Sequence, residues 1–308
     1  MNHIELFAGC GGLSLGLESA GFELFVANEL SPMASETFAY NLLNVDFEKK
    51  KNTDKVLWVS STHERSKLSA RLRENPQVAN GLNSYHFSDL SKQKLTKDKL
   101  ERSLLVGSIV DINTILDDPE SPLVDILRRG SGDGIDLVSG GPPCQSFSLA
   151  GLRDHSNDRN VLPWEFAKFV EKTKPKIALL ENVSGILRAF KISEKPYYAW
   201  FEVAKAFAKI GYIPLCLHVN AKYVGAAQNR PRFILLAMRD DIYTGVTRNS
   251  TDKNFLEAIA PAKILFDRVR RGEDPEYGCL PYFDMEKNPD FFDSKIFANF
   301  KTHENSDL

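Results

Sequence analysis

The most constraining feature of this sequence is a glycine-rich turn set between a strand and a helix at its very start. His3 to Ala8 is apolar-rich and runs into Gly9, Gly11 and Gly12. Leu13 to Ala20 then repeats apolar residues at helical spacing and stops at Gly21, the residue type favoured just past a helix end. A second strand, Glu23 to Ala27, ends at Asn28 and Glu29, and Pro32 to Asn41 reads as a second helix. Strand, helix, strand, helix in this order calls for a parallel sheet with helices on its faces, so the chain is α/β.

The pattern breaks over 46–103, which is polar, charged and weakly periodic, with Ser66 to Arg73 its one helical stretch. A structureless run this long inside a compact domain is unusual, so it reads as an insertion with some structure of its own. Strand-like segments resume at Ser103 to Ile109 and Ile135 to Ser139. Leu162 to Glu171 is helical, Ile177 to Leu180 a short buried strand, and Tyr198 to Lys209 a helix closed by Gly211. Tyr212 to Val219 and Arg232 to Met238 form a last strand pair. Residues 1–240 are therefore expected to be one domain, a mostly parallel twisted sheet with helices on both faces. Beyond Asp240 the sequence reads as irregular, with Pro261, Pro275, Pro281 and Pro289, so 241–308 is expected to be a separate extension.

Composition narrows the class. Hydrophobic residues make up 43% and charged residues 26% of 308, which excludes disordered and collagen-like chains. No stretch is long and apolar enough for a bilayer, and the N-terminus is no signal peptide, so an intracellular, cytoplasmic protein without membrane contact is expected. The net charge is −2, but from Lys49 to Arg102 thirteen Lys and Arg stand against six Asp and Glu. A solvated loop explains that segment more simply than a phosphate-tracking surface does. Cys10, Cys144, Cys216 and Cys279 lie far apart with no CxxC pair, so neither a cysteine zinc site nor a disulfide framework is expected, and no metal is.

In an open α/β sheet, ligands bind outside the carboxyl ends of the strands. Three features fall there: the glycine turn, Cys144 and Glu181. In Phe7-Ala8-Gly9-Cys10-Gly11-Gly12 the missing Cβ atoms let a cofactor lie against the backbone. Glu29, followed by Leu30, ends the next strand, where an acid can accept bonds from both ribose hydroxyls; the plainer reading is a cap on the helix after Ser31. A dinucleotide asks for GxGxxG, whereas this turn suits a nucleoside without pyrophosphate. Cys144 follows two rigid prolines, Pro142 and Pro143, in a polar loop that also holds Gln145 and Ser148. A thiol there is placed to be reached, unlike Cys216 within Leu215-Cys216-Leu217. Glu181 and Asn182 follow an apolar strand, and a half-buried carboxyl there can exchange a proton. In Gln228-Asn229-Arg230-Pro231-Arg232, two arginines at i and i+2 can clamp an anion or orient a base.

In this order and spacing, the motifs resemble those of the C5-cytosine DNA methyltransferases. The cofactor turn is Phe7 to Gly12, the ribose acid Glu29, the nucleophile loop Gly141-Pro142-Pro143-Cys144-Gln145, the acid motif Glu181-Asn182-Val183, and the arginine motif Gln228 to Arg232. Asp158-Arg159-Asn160-Val161-Leu162 resembles the segment whose leucine packs on the cofactor. The resemblance implies a Rossmann-like methyltransferase fold, S-adenosylmethionine as donor (leaving S-adenosylhomocysteine), and a cytosine flipped out of double-stranded DNA. It implies Cys144 as nucleophile toward C6, Glu181 toward N3, Arg232 holding the base or Glu181, and Arg230 meeting phosphate or the cysteine loop. Phe7 to Gly12, Glu29, Leu30, Ser108, Ile109, Pro143 and Leu162 then line the cofactor, and Gln145, Ser148, Asn182 and Gln228 face the DNA.

Two departures stand out. Where the family offers an acid to the adenine amino group, this chain has Gly107-Ser108-Ile109. After Asp240 neither the arginine-containing motif that supports target recognition nor the closing Gly-Asn motif is found. The expectation is the catalytic subunit of a split restriction-modification methyltransferase, a heterodimer whose second, smaller subunit supplies target recognition and the missing motifs. An RNA cytosine-5 methyltransferase, and a non-catalytic cofactor-binding or DNA-scaffolding subunit, remain as alternatives.

Overall fold

A computed structural model describes residues 1–59, 89–90, 95–130, 132–143, 162–192 and 195–292. The helical stretch expected within the insertion, Ser66 to Arg73, lies outside them. The chain forms two compact units, Met1–Pro142 with Lys168–Pro175, and Pro143–Ala167 with Lys176–Leu308.

Among the described residues the first unit carries five strands: β1 (Asn2–Leu6), β2 (Glu23–Glu29), β3 (Val56–Trp58), β4 (Ser103–Val106) and β5 (Leu137–Gly140). They pair in the order β5-β1-β2-β4-β3, and every pairing is parallel. Helices α1 (Gly12–Ser19) and α2 (Pro32–Leu43) supply the first crossovers. The strand order reverses at β1, with β2, β4 and β3 built outward on one side and β5 on the other. That reversal opens a crevice at the carboxyl ends of β1 and β5. Trp58, Val56, Leu104, Val106, Ala27 and Phe38 pack together around α2. The start of the insertion thus contributes an edge strand and a core tryptophan, which anchor it to the sheet.

The sequence reading of Ser103 to Ile109 as one strand needs correction. The strand stops at Val106, and Ser108 caps a helix, α3 (Ile109–Asp117), by accepting the Val110 amide at 3.2 Å. An N-cap hydroxyl satisfies a first-turn donor, and that bond outweighs the apolar run. A further helix, α4 (Leu123–Arg129), leads to β5.

The second unit carries β6 (Ile177–Val183), β9 (Tyr212–Asn220), β10 (Pro231–Arg239) and the short β11 (Phe283–Asp284). β10 is antiparallel to both β6 and β9, and β11 is parallel to β9. A two-stranded hairpin, β7 (Phe190–Ile192) with β8 (Lys195–Tyr197), follows β6. Helix α5 (Leu162–Thr173) precedes β6, and α6 (Ala199–Lys209) follows β8. The segment after Asp240, expected to be irregular, instead begins with two helices, α7 (Asp240–Asn249) and α8 (Lys253–Arg270). Pro261 sits inside α8 and forfeits one backbone bond. Burial of Phe255, Ile259, Leu265, Phe266 and Val269 on one face offsets that loss, and Asp252 caps the helix through the Phe255 amide at 3.1 Å. No described helix is long and apolar enough to cross a membrane.

Candidate active site

In the first unit the strand ends of β1, β2 and β4 stand side by side, and each carries an expected cofactor residue. The turn after β1 begins with strain: Phe7 is half-buried at φ 55°, a left-handed conformation rare for an aromatic residue. Gly11 follows at φ 94°, where a Cβ would fall 2.3 Å from Leu42 Cδ1 and 3.0 Å from Phe38 Cδ2. Only glycine fits there, because α2 packs against the turn. Gly9 and Gly12 differ: a Cβ at either would meet nothing within 4 Å, so their backbone faces open space. Cys10 is exposed between them.

Glu29 ends β2 and reaches the turn directly. Its Oε2 accepts the Gly9 amide at 2.8 Å, and its Oε1 accepts the Ser31 amide at 2.7 Å. The second contact is the helix-start role weighed from sequence, since Ser31 is the N-cap of α2. Each carboxylate oxygen keeps a further acceptor site beyond these two amides. Leu30 is half-buried beside it, while Ile109 is buried at 3% exposure as the first residue of α3. Ser108 is half-buried and spends its hydroxyl on the Val110 amide.

Asn28 is a residue that sequence reasoning passed over. It is 2% exposed and donates through Nδ2 to the Leu105 and Gly107 carbonyls at 3.0 and 2.9 Å. Those bonds tie the end of β2 to the loop that carries Ser108. Its signal was a polar amide inside an apolar strand, since a buried amide needs partners.

In the second unit β6 alternates in burial, with Glu181 half-buried and Asn182 at 2% exposure on the opposite face. Glu181 pairs in register with Ile234 of β10, so Arg232, two residues earlier on the same face, is its diagonal neighbour. Arg232 Nε lies 2.7 Å from Glu181 Oε1. Asn182 turns back and accepts the Val183 amide through Oδ1 at 2.8 Å, so it does not share a face with Glu181. Arg230 and Gln228 are exposed in the preceding loop.

That loop is held by a second overlooked residue, Asn220, at the end of β9. Its Oδ1 accepts the Arg230 and Lys222 amides at 3.0 and 3.3 Å, and its Nδ2 donates to Asn229 Oδ1 at 2.8 Å. Pro143 is exposed and Leu162, at the start of α5, is half-buried. Cys144, Gln145 and Ser148 lie outside the described residues, as does Asp158 to Val161. Cys216 is fully buried in β9, where burial pushes its thiol pKa up, as a structural cysteine requires.

Comparison with known proteins follows the same segments. The family described as C-5 cytosine-specific DNA methylase matches residues 1–63 and 110–269. The Type II methyltransferase M.DdeI of Desulfomicrobium norvegicum is 29% identical over 241 residues, 78% of this chain and 41% of the relative. The Type II methyltransferase M.FnuDI of Fusobacterium nucleatum is 30% identical over 243 residues, 79% of this chain and 48% of the relative. This chain therefore spans less than half the length of either. Among solved structures, the Dnmt2 methyltransferase of S. pombe is 15% identical with a TM-score of 0.42, over 78% of this chain and 50% of that one. Glycine turn, strand-end acids and arginine motif all fall within the matched residues, and the chain belongs to the C-5 cytosine-specific DNA methylase family.

Proposed function

We propose that this chain is the catalytic part of a DNA (cytosine-5-)-methyltransferase of a bacterial restriction-modification system, acting on a cytosine flipped out of the duplex. The observation that carries the reading is the Glu181–Arg232 ion pair on adjoining strands, in a chain of this family. The names of the relatives, Type II methyltransferases, support the biological setting.

The first unit fits a nucleoside donor. Open backbone at Gly9 and Gly12 allows close approach, and Glu29 offers carboxylate acceptors to ribose hydroxyls. Phe7, Ala8, Cys10, Gly11, Leu30, Ser108 and Ile109, with Pro143 and Leu162, complete the set assigned to the cofactor. S-adenosylmethionine, when bound, supplies an electrophilic methyl group. Cys144 is assigned as nucleophile: its thiolate bonds to C6 of the cytosine ring and pushes electrons toward C5. Glu181 hydrogen-bonds or protonates N3, so that the ring accepts the added charge, and Arg232 holds Glu181 in place. Once C5 is methylated, loss of its proton expels the Cys144 sulfur and restores the aromatic ring. Arg230 is assigned to phosphate, and Gln145, Ser148, Asn182 and Gln228 to the DNA. No metal enters this scheme.

The reading includes a second, smaller subunit that supplies target recognition. Radiolabel transfer from S-adenosylmethionine to double-stranded DNA, with product bases separated by chromatography, tests both parts. 5-Methylcytosine as the product supports the reading, and label on adenine, on cytosine N4 or on RNA alone overturns it. Weak transfer by the chain alone that rises with the partner supports the two-subunit part. Full turnover by the chain alone contradicts that part.

A further inference from the structure

The glycine turn starts a helix that has no side-chain cap of its own. Gly11 is the N-cap of α1, left-handed at φ 94° and ψ 17°, and no side chain there accepts a first-turn amide. First-turn amides need acceptors from somewhere. One comes from the neighbouring strand. Glu5 on β1 is 2% exposed, accepts the hydroxyl of Ser14, and also faces the Ser14 amide. Ser14 is fully buried, in the first turn of α1. The turn is thus held at both ends by carboxyls, Glu29 at Gly9 and Glu5 at Ser14.

None of the proposed transfer chemistry uses Glu5. We propose that Glu5 is a positioning residue for the cofactor: by capping α1 it sets the Gly9–Gly12 backbone, and its ionisation state governs how tightly that backbone holds an adenosyl ligand. The inference rests on the reading of this turn as the cofactor cradle. The ionised carboxyl accepts from both Ser14 donors and complements the positive end of the helix, whereas the protonated form gives up part of both.

Burial pushes the Glu5 pKa up to about 7, against the two Ser14 bonds, and the charge of Glu29 adds to the rise. The other neighbours leave this titration isolated. His3, two residues earlier on the same face of β1, is pushed down to about 4 by burial and is neutral near pH 7. The register partners of Glu5, Ala27 on β2 and Ser139 on β5, carry no charge. Glu18 lies toward the far end of α1, 3.8 Å from Arg102.

The test is calorimetric binding of S-adenosylhomocysteine between about pH 5.5 and 8, paired with amide hydrogen exchange of the 9–14 segment in ligand-free protein. Wild-type affinity should rise about threefold or more with a midpoint near pH 7, the size of a charge at a helix terminus. In Glu5→Gln both the affinity and the exchange protection, taken against each amide's intrinsic rate at that pH, should be flat across that range. Ser14→Ala removes one donor to the carboxylate and should move the wild-type midpoint upward, which keeps the test open if Glu5→Gln folds poorly. A wild-type affinity that is flat, or a Glu5→Gln profile that copies it, overturns the proposal. An exchange switch in wild type and not in Glu5→Gln, with no ligand bound at any pH, upholds the cap and counts against the cofactor reading.

Discussion

Arg232 holds its guanidinium Nε 2.7 Å from Oε1 of Glu181, across the antiparallel pairing of β10 with β6. The two side chains are 19% and 33% exposed, shielded enough to hold one geometry and open enough to meet a ligand. Arg232→Ala should lower methyl transfer by about 10²-fold or more, the range of a displaced general acid. Stability should move by no more than about 1 kcal/mol, since a half-exposed ion pair contributes little. Arg232→Lys should restore only part of the rate, because an ammonium lacks the planar fork. Initial rates beside urea midpoints check this, and an Arg232→Ala protein at the wild-type rate contradicts the assignment.

Glu29 accepts from both the glycine turn and the start of α2. Glu29→Ala should weaken adenosyl-ligand binding about 10- to 100-fold, as expected for loss of bonds to a charged group. Glu29→Gln keeps one acceptor oxygen and should fall between. Titration calorimetry with S-adenosylhomocysteine reads both.

Ser108 caps α3, and the proposed cofactor reading sets it beside the adenine amino group. Aspartate is as good an N-cap as serine, so Ser108→Asp should leave the helix intact. It adds a charged acceptor for an adenine amino group and should tighten ligand binding about tenfold. Unchanged affinity with an intact fold places the adenine elsewhere.

Glu5 also makes stability depend on pH. The unfolded chain gives up this proton near 4.5, whereas the folded chain keeps it to about 7. Its contribution is therefore full below 4.5, is lost as pH rises through 7, and is flat above. His3 runs the other way: burial lowers it from 6.5 to about 4, so its contribution is lost as pH falls between those values. The two slopes oppose each other in wild type. Glu5→Gln should remove one of them, so its advantage over wild type should be near zero at pH 4.5 and grow to on the order of 3 kcal/mol above pH 7. Chemical denaturation at those two pH values measures it.

Much of the first unit was legible because its signals are local. Three glycines between a strand and a helix, and an acid at the next strand end, need no tertiary information. The helix after Ser108 was hidden because Val106, Ile109 and Val110 extend an apolar run that one capping hydroxyl interrupts. Pro261 disguised α8, whose stability comes from a buried face that sequence alone does not pair with anything. Asn28 and Asn220 escaped notice for the same reason, since their partners lie 77 and 10 residues away. Glu5 was masked by the apolar strand around it; its partner, Ser14, sits beyond the turn.

In the proposed transfer, Cys144 bonds to C6 of the cytosine ring. Double-stranded DNA carrying 5-fluorocytosine at the target traps such an intermediate, because fluorine does not leave as a proton does. Incubated with S-adenosylmethionine and the active protein, it should yield a DNA adduct mapped by mass spectrometry to Cys144, and Cys144→Ser should yield none. An adduct on another residue, or no adduct from a preparation that methylates ordinary DNA, contradicts the account.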